Sequence, residues 1–153
     1  DPELSRGLGD VYKRQHAMTF YRSPKSLNTR FTRTKNLDKN MYNVESWLSH
    51  HGEKLRQRFS LKSYLFLNKL LSSTDITRDG KTFINKISKI KSSIHLISVD
   101  SDIFFLPDED HETYLVAKKN NLDITNHTIN SIHGHDAFLI ETKQISDIFT
   151  KIF

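Results

Sequence analysis

The sequence contains no cysteine among its 153 residues, which excludes both a disulfide framework and a thiol nucleophile. It also contains no apolar run near the roughly 18 residues that a membrane-spanning helix requires. We therefore expect no membrane association, and the absence of cysteine is consistent with a cytoplasmic protein. The chain has no internal repeat and no low-complexity tract.

The composition indicates a globular protein. Charged residues make up 27% of the chain and apolar residues 36%, which is unlike a disordered or membrane protein. The length is sufficient for one domain with a modest core.

The net charge of +5 raises the possibility of nucleic-acid binding. The basic residues are scattered, however, and no aromatic-rich stretch is typical of a base-stacking strand. We therefore predict a solvated basic surface and no nucleic-acid partner. These scattered basic residues include Arg30, Arg33, Lys35, Lys39, Lys54, Arg56, Arg58, Lys86, Lys89 and Lys91.

Residues 1–15, "DPELSRGLGDVYKRQ", differ from the remainder. They show no apolar period, and they lack the apolar core of a signal peptide. Their ending resembles the translation of a transposon end used to prepare sequencing libraries. We expect this segment to be non-native and the protein's own sequence to start near residue 16.

Residues 16–92 are predicted to be mainly helical. Residues 16–40 are polar and irregular, with Pro24 marking a turn. The stretch 41–73 has the apolar spacing of a helical pair, with Asn43 and Ser60 as candidate N-caps. Gly52 either lowers the stability of the first helix or marks a break between two shorter helices. Asp79-Gly80 is a turn signal, and "TFINKISKI" predicts a short helix.

Residues 93–153 predict two strands that alternate with two helices. The strands are 94–99, "IHLISV", and 124–132, and the helices are 108–121 and 136–153. A strand–helix–strand–helix order is typical of an α/β fold with a parallel sheet. Two strands alone do not complete such a sheet, so we expect the other strands in a preceding part of a longer protein.

Ionisable side chains follow both predicted strands. Asp100 and Asp102 follow the first, and His135 follows the second. In parallel sheets, functional groups gather beyond the carboxyl ends of the strands. Aspartate before histidine is the order of the α/β-hydrolase triads, in which a serine on a G-x-S-x-G elbow comes first. The chain has no such elbow, and strand position alone leaves Asp100 and Asp102 as rivals.

The chain resembles one α/β-hydrolase-fold family, the homoserine O-acetyltransferases, from residue 16 onward. The resemblance rests on "YRSPKSLNTRF", "YNVESWLSHHGEKLRQRFSLKSYLFLNKLL", "ISVDSDIFFLP" and "HGHDAFLIE". Asp102 and His135 match the family's catalytic aspartate and histidine. The resemblance implies a C-terminal fragment in which 93–153 belong to the hydrolase core and 16–92 to an inserted helical lid.

The resemblance also implies the chemistry. A serine outside this chain would take acetyl from acetyl-CoA and pass it to L-homoserine, a step of methionine biosynthesis. His135 would act as general base and acid, and Asp102 would orient it. No cofactor is implied, because acetyl-CoA is a substrate. Without the serine, the chain alone is expected to be inactive.

Further residues match substrate-binding positions of the family. Asp136 matches an aspartate that helps to hold the homoserine amino group, and Tyr21 matches a tyrosine of the substrate pocket. Arg14 stands where the family has an arginine for the substrate carboxylate, but it lies inside the segment that we expect to be non-native. The lid in this family forms the dimer contact, so an intact parent is expected to be a homodimer.

Other interpretations stay open at this point. One is a different acyltransferase of the same fold, such as a homoserine succinyltransferase or serine acetyltransferase, or a serine hydrolase. Another is a non-enzymatic basic binding module. Asp136 could also be a helix N-cap. His133 and His135, with His111, His127 and Asp136, could suggest zinc, but three or four ligands in tight geometry are needed and we predict no metal.

Overall fold

The structure is a computed structural model in which residues 14–153 are described. Residues 1–13 of the segment expected to be non-native lie outside the described residues. The chain divides into two compact units, Asp1–Thr74 and Asp75–Phe153. The predicted division at residues 92/93 into lid and core stays a prediction.

The described part of the first unit, residues 14–74, contains four helices and a short ribbon. The helices are α1 (residues 14–21), α2 (Pro24–Arg30), α3 (Asn43–Arg58) and α4 (Leu61–Ser73). Strands β1 (Lys35–Asn36) and β2 (Met41–Tyr42) pair antiparallel between α2 and α3.

The prediction of an irregular segment over 16–40 is wrong. Pro24 opens α2 rather than marking only a turn, because a proline at the first helical position has no N–H to leave unpaired. Ser23 caps this helix, and its Oγ accepts the Ser26 N–H at 3.1 Å. The ribbon turns through Asn40, whose φ of 48° is a left-handed value that asparagine tolerates.

The helical pair over 41–73 is present, with one change at its start. The N-cap of α3 is Tyr42 rather than Asn43, and the Tyr42 N–H donates to Glu45 Oε2 at 2.7 Å. Gly52 is buried within α3 and does not break it. Ser60 caps α4 as predicted, and its Oγ accepts the Ser63 N–H at 3.1 Å.

The second unit begins with the predicted turn, where Gly80 has a φ of 78°. Its elements are then α5 (Phe83–Ile87), β3 (Ile94–Val99), α6 (Pro107–Lys119), β4 (Ile124–Ile129), the 3-10 helix η1 (Gly134–Leu139) and α7 (Thr142–Ile152). Strands β3 and β4 are parallel, with Ile94 opposite Ile124 and Val99 opposite Ile129. This is the small parallel sheet of an α/β fragment.

Apolar side chains cover both faces of this sheet. On one face Val99, Ile129, Ala137 and Ile148 form a buried cluster that joins the strands to η1 and α7. On the other face Ile87, Ala117 and Ile124 join them to α5 and α6. The two clusters fix the strands between helices and so fix the loops at their ends.

The predicted single helix over 136–153 is wrong. It is divided into η1 and α7, because the Ala137 carbonyl accepts both the Ile140 N–H (2.9 Å) and the Glu141 N–H (2.8 Å) and closes the first segment. Strand β4 ends at Ile129 rather than at residue 132, and α6 ends at Lys119 rather than at residue 121. Among residues 14–153, no helix has the length and apolarity needed to cross a membrane.

Candidate active site

Two loops meet at the carboxyl edge of the parallel sheet. One follows β3 and carries Asp100, Ser101 and Asp102, and the other follows β4 and carries His135. Parallel strands bring their carboxyl ends to the same edge, so loops that are about 30 residues apart in sequence become neighbours. This edge is where the sequence predicts catalytic groups.

Asp102 and His135 are in direct contact. Asp102 Oδ2 lies 2.8 Å from His135 Nδ1, and the aspartate is only 7% exposed. Its other oxygen, Oδ1, accepts the backbone N–H of Phe104 at 2.7 Å and that of Phe105 at 3.0 Å. The carboxylate is therefore held in one orientation and can fix the imidazole in one orientation.

The rival aspartate has a different contact. Asp100 Oδ1 accepts the backbone N–H of Ser131 at 2.9 Å. Asp100 thus ties the loop after β3 to the loop after β4, while Asp102 contacts the histidine. The contact agrees with the residue that the family motif favours, and the catalytic roles themselves stay predictions.

A second hydrogen bond between the two loops involves Gly134. Its N–H donates to Ser101 Oγ at 3.0 Å, and its φ is 69°. Glycine adopts this left-handed conformation without the steric cost that a Cβ imposes. The glycine of "HGHDAF" is needed here because it turns the chain so that His135 faces Asp102.

A hydrogen-bond network fixes the far side of the histidine loop. Ser131 Oγ donates to Glu141 Oε1 at 2.7 Å. Gln144 bonds to both the N–H of Asn130 (3.0 Å) and its carbonyl (2.9 Å). The pKa of Glu141 is lowered, chiefly because Ser131 donates to its carboxylate and secondarily because Gln144 does. Sequence reasoning missed these residues, since nothing in their local pattern indicates the contacts.

Three aromatic rings surround the imidazole. The ring centroids of Phe104, Phe105 and Phe138 lie 5.3, 5.1 and 5.7 Å from that of His135. The His135 side chain is 23% exposed. With Nδ1 bonded to the carboxylate, proton exchange with a substrate would use Nε2.

A cavity of about 340 Å³ opens beside this pair. Six of its ten lining residues are apolar and come from both strands, the loop after β3, η1 and α7; the other four are Ser98, Asp102, Asp110 and His135. The pKa of Asp110 is raised by its burial and, to a smaller extent, by the negative charge of Asp102. Asp110 is a third titratable group of the cavity that sequence reasoning missed, because its position on α6 carries no motif.

The other predicted site residues fall in two places. Asp136 follows His135 inside the first turn of η1, whose N-cap is His133, so the interpretation of Asp136 as an N-cap is wrong. Arg14 and Tyr21 belong to the first unit, where the Arg14 guanidinium lies 5.1 Å from the centroid of the Tyr21 ring. Their roles toward a substrate stay predictions.

Histidine side chains are common metal ligands. Within the described range 14–153, no three histidine, aspartate or glutamate side chains are grouped to hold a metal ion. His127 instead lies on β4, where its Nε2 is 3.0 Å from Thr125 Oγ1. The same hydroxyl oxygen is 2.6 Å from His95 Nδ1.

Comparison with known proteins gives one consistent result. No family model matches the chain. Proteins named homoserine O-acetyltransferase match it from Methanococcus vannielii (34% identity over 139 residues, 86% of this chain), Trichormus variabilis (33% over 144 residues, 94%) and Salinibacter ruber (32% over 150 residues, 97%). The chain spans only 28%, 38% and 41% of the length of these three curated relatives.

Proposed function

Because the chain is homologous to the homoserine O-acetyltransferases over most of its length, we propose that it is part of such an acyltransferase. In this proposal it contributes the aspartate and histidine of a serine triad. The matches support this interpretation and not the alternatives of another acyltransferase, a hydrolase or a non-enzymatic binding module.

The α/β-hydrolase fold is part of the same proposal. Its support is the parallel pair of strands, with Asp102 after the first strand and His135 after the second, at one edge of the sheet. This is the chain order in which α/β-hydrolases place the last two members of their triads. The remaining strands and the serine elbow would come from the rest of a complete enzyme.

The proposed reaction has two half-reactions. A serine hydroxyl outside this chain gives its proton to His135 Nε2 and attacks the thioester carbonyl of acetyl-CoA. The imidazolium returns the proton to the departing thiolate, which leaves an acetyl-serine. In the second half-reaction the same nitrogen takes the proton of the homoserine hydroxyl as its oxygen attacks the carbonyl of the acetyl-serine. The bond from the acetyl group to serine breaks, the imidazolium returns the proton to the serine oxygen, and O-acetylhomoserine is released.

The geometry around His135 suits this task. The Asp102 carboxylate accepts from Nδ1 and stabilises the imidazolium that forms in each half-reaction. The rings of Phe104, Phe105 and Phe138 cover part of the imidazole, whose side chain is 23% exposed. Exclusion of water by the rest of a complete enzyme would favour transfer to a bound alcohol over hydrolysis of the acetyl-serine.

Substrate contacts are proposed for three residues. Asp136, directly after the base, would attract the homoserine ammonium group. Tyr21 would line the pocket, and Arg14, if it is native, would pair with the substrate carboxylate. Acetyl-CoA is the acyl-donor substrate, and the proposal needs no resident cofactor. A cytoplasmic location stays a prediction.

We also propose that an intact parent dimerises through its helical region. Helix α4 buries none of its residues. Apolar side chains along it are 48–66% exposed, and they are Leu65, Phe66, Leu67, Leu70 and Leu71. Covering such a set is favourable at about 25 cal/mol per Å² of apolar surface removed from water. Sedimentation of an intact parent with Leu70 and Leu71 changed to glutamine should show a shift toward monomer.

The single observation that carries the proposed activity is the 2.8 Å contact between Asp102 and His135. A chimera tests it: this chain replaces the matched segment of the Trichormus variabilis relative, and acetyl transfer to L-homoserine is measured. We expect activity that His135→Ala reduces by several orders of magnitude. His111→Ala, which removes an exposed histidine of the same unit, is the matched control. Equal activity of the two variants would overturn the proposal.

A further inference from the structure

A basic cavity of about 440 Å³ lies in the first unit, and none of its lining residues is used above for acyl transfer. The end of α2 supplies Arg30 and Phe31, and the turn of the β1–β2 ribbon supplies Lys39. One face of α3 supplies the rest of the lining, which is Asn43, Ser46, Trp47 and His50. The scattered basic residues predict a solvated surface, and the cavity brings two of them, Arg30 and Lys39, to one site.

Among residues 14–153, the cations of the cavity have no acidic partner. No carboxylate of these residues lines the cavity, and none of them forms an ion pair with Arg30 or Lys39. The acids of α3 are engaged elsewhere. Glu45 accepts the Tyr42 N–H at 2.7 Å, and Glu53 pairs with Arg56 at 2.6 Å.

The Arg30 guanidinium is already positioned. It lies 5.3 Å from the ring centroid of Phe31 and 5.5 Å from that of Trp47. A guanidinium held against aromatic rings keeps its in-plane N–H donors available, and these match the oxygens of a phosphate. The N–H donors of Arg30 therefore need little rearrangement to bind an anion.

Several positive charges lie close together on this face of the first unit. The pKa of His51 is lowered, first by its burial and then by the positive charges of Arg14, His50, Lys54 and Arg30. The first turn of α3, where Asn43 and Ser46 lie, adds the partial positive charge of a helix N-terminus. An anion in the cavity would lower the energy of all these groups together.

We propose that the basic cavity binds a nucleotide. Its phosphate would contact Arg30 and Lys39, and its base would lie against Trp47. Two permanent cations with a histidine favour the charge of a phosphate over a single carboxylate, and the aromatic ring offers a surface on which a planar base stacks. The site is a shallow, open cleft whose volume is that of a small-molecule site. The proposal does not depend on the acyltransferase function.

Trp47 is the only tryptophan of the sequence, so its fluorescence reports directly on this cavity. The purified 153-residue chain is titrated with AMP, with adenosine and with inorganic phosphate. We expect AMP to change the fluorescence saturably, phosphate to compete with AMP, and adenosine to bind at least tenfold more weakly than AMP. No saturable change with AMP, or equal binding of adenosine and AMP, would overturn the proposal.

Matched variants separate the cavity from the general charge of the surface. Arg30→Gln and Lys39→Gln should each weaken AMP binding about tenfold or more, as expected for loss of a charge-assisted contact. Arg33→Gln and Lys62→Gln remove the same charge from exposed positions and should change the affinity for AMP less than twofold. Circular dichroism checks folding, and Lys39→Gln carries the test if Arg30→Gln unfolds. Equal weakening by Arg33→Gln and Arg30→Gln would contradict a specific site.

Discussion

Replacing Asp102 perturbs both the candidate site and the loop that carries it. The carboxylate accepts three donors: His135 Nδ1 at 2.8 Å and the N–H groups of Phe104 and Phe105 at 2.7 and 3.0 Å. Asp102→Ala removes all three acceptor contacts. Asp102→Asn keeps an oxygen for the two backbone N–H groups but presents an NH₂ group to the histidine.

The size of each effect follows from these contacts. A hydrogen bond to a charged group contributes about 1.5–3 kcal/mol when it is protected from water. Phe104 and Phe105 are 42% and 53% exposed, so water can replace part of their contacts. We therefore expect Asp102→Ala to lower the free energy of unfolding by about 3 kcal/mol and Asp102→Asn by about 1 kcal/mol.

The assay is urea unfolding followed by far-UV circular dichroism, because Trp47 belongs to the other unit. Nitrogen NMR adds a specific signature. In Asp102→Asn the amide NH₂ should force His135 into the tautomer with its proton on Nε2, which cannot accept a proton there. Asp108→Ala and Asp108→Asn, at an exposed acid of α6, are the controls and should cost about 0.5 kcal/mol. Equal losses at positions 102 and 108, with an unchanged tautomer, would refute this reasoning.

Three further predictions concern the same two units. Gly134→Ala should lower the free energy of unfolding in urea more than Gly80→Ala does. Both glycines have a positive φ, so a backbone cost of about 1–2 kcal/mol is common to both, but Gly134 is buried whereas Gly80 has open space around its Cβ position. Equal losses of stability in the two variants would contradict the prediction. Because the pKa of His51 is lowered, its contribution to stability is present above pH 6.5 and is lost as the pH falls below that value. In His51→Gln, the free energy of unfolding measured in urea should therefore depend less on pH below 6.5. The lowered pKa of Glu141 means that its contribution is present above pH 4.5 and is lost as the pH falls below it; Glu141→Gln should remove that dependence, and an unchanged profile would argue against the Ser131 contact.

Local sequence patterns predict the helices and strands whose formation depends on residues close together in the chain. The β-branched run 94–99 is a strand as expected, and Ser60 is the cap that its position before an apolar period indicates. The order of aspartates and a histidine after successive parallel strands predicts Asp100, Asp102 and His135 at one edge, and the resemblance to the family motif favours Asp102 over Asp100. Their contact follows from the topology, because a parallel register brings the two loops together.

Other features depend on contacts between distant residues and leave no local signal. The polar stretch 35–42 forms a ribbon only because its two short strands pair with each other. The division of 136–153 depends on one carbonyl, that of Ala137, which accepts two N–H groups. Asp110 faces the cavity, and Ser131 bonds to Glu141, only after the helices pack on the sheet.

The measurement that most directly tests the acyltransferase account is release of CoA thiol in a single turnover. The chimera described above is mixed with acetyl-CoA in the absence of homoserine, and free thiol is followed with time. The account predicts a rapid burst of about one thiol per active site, which marks formation of acetyl-serine, and its loss in His135→Ala. The 153-residue chain alone should give no burst. A burst that persists in His135→Ala, or one given by the chain alone, would contradict the account.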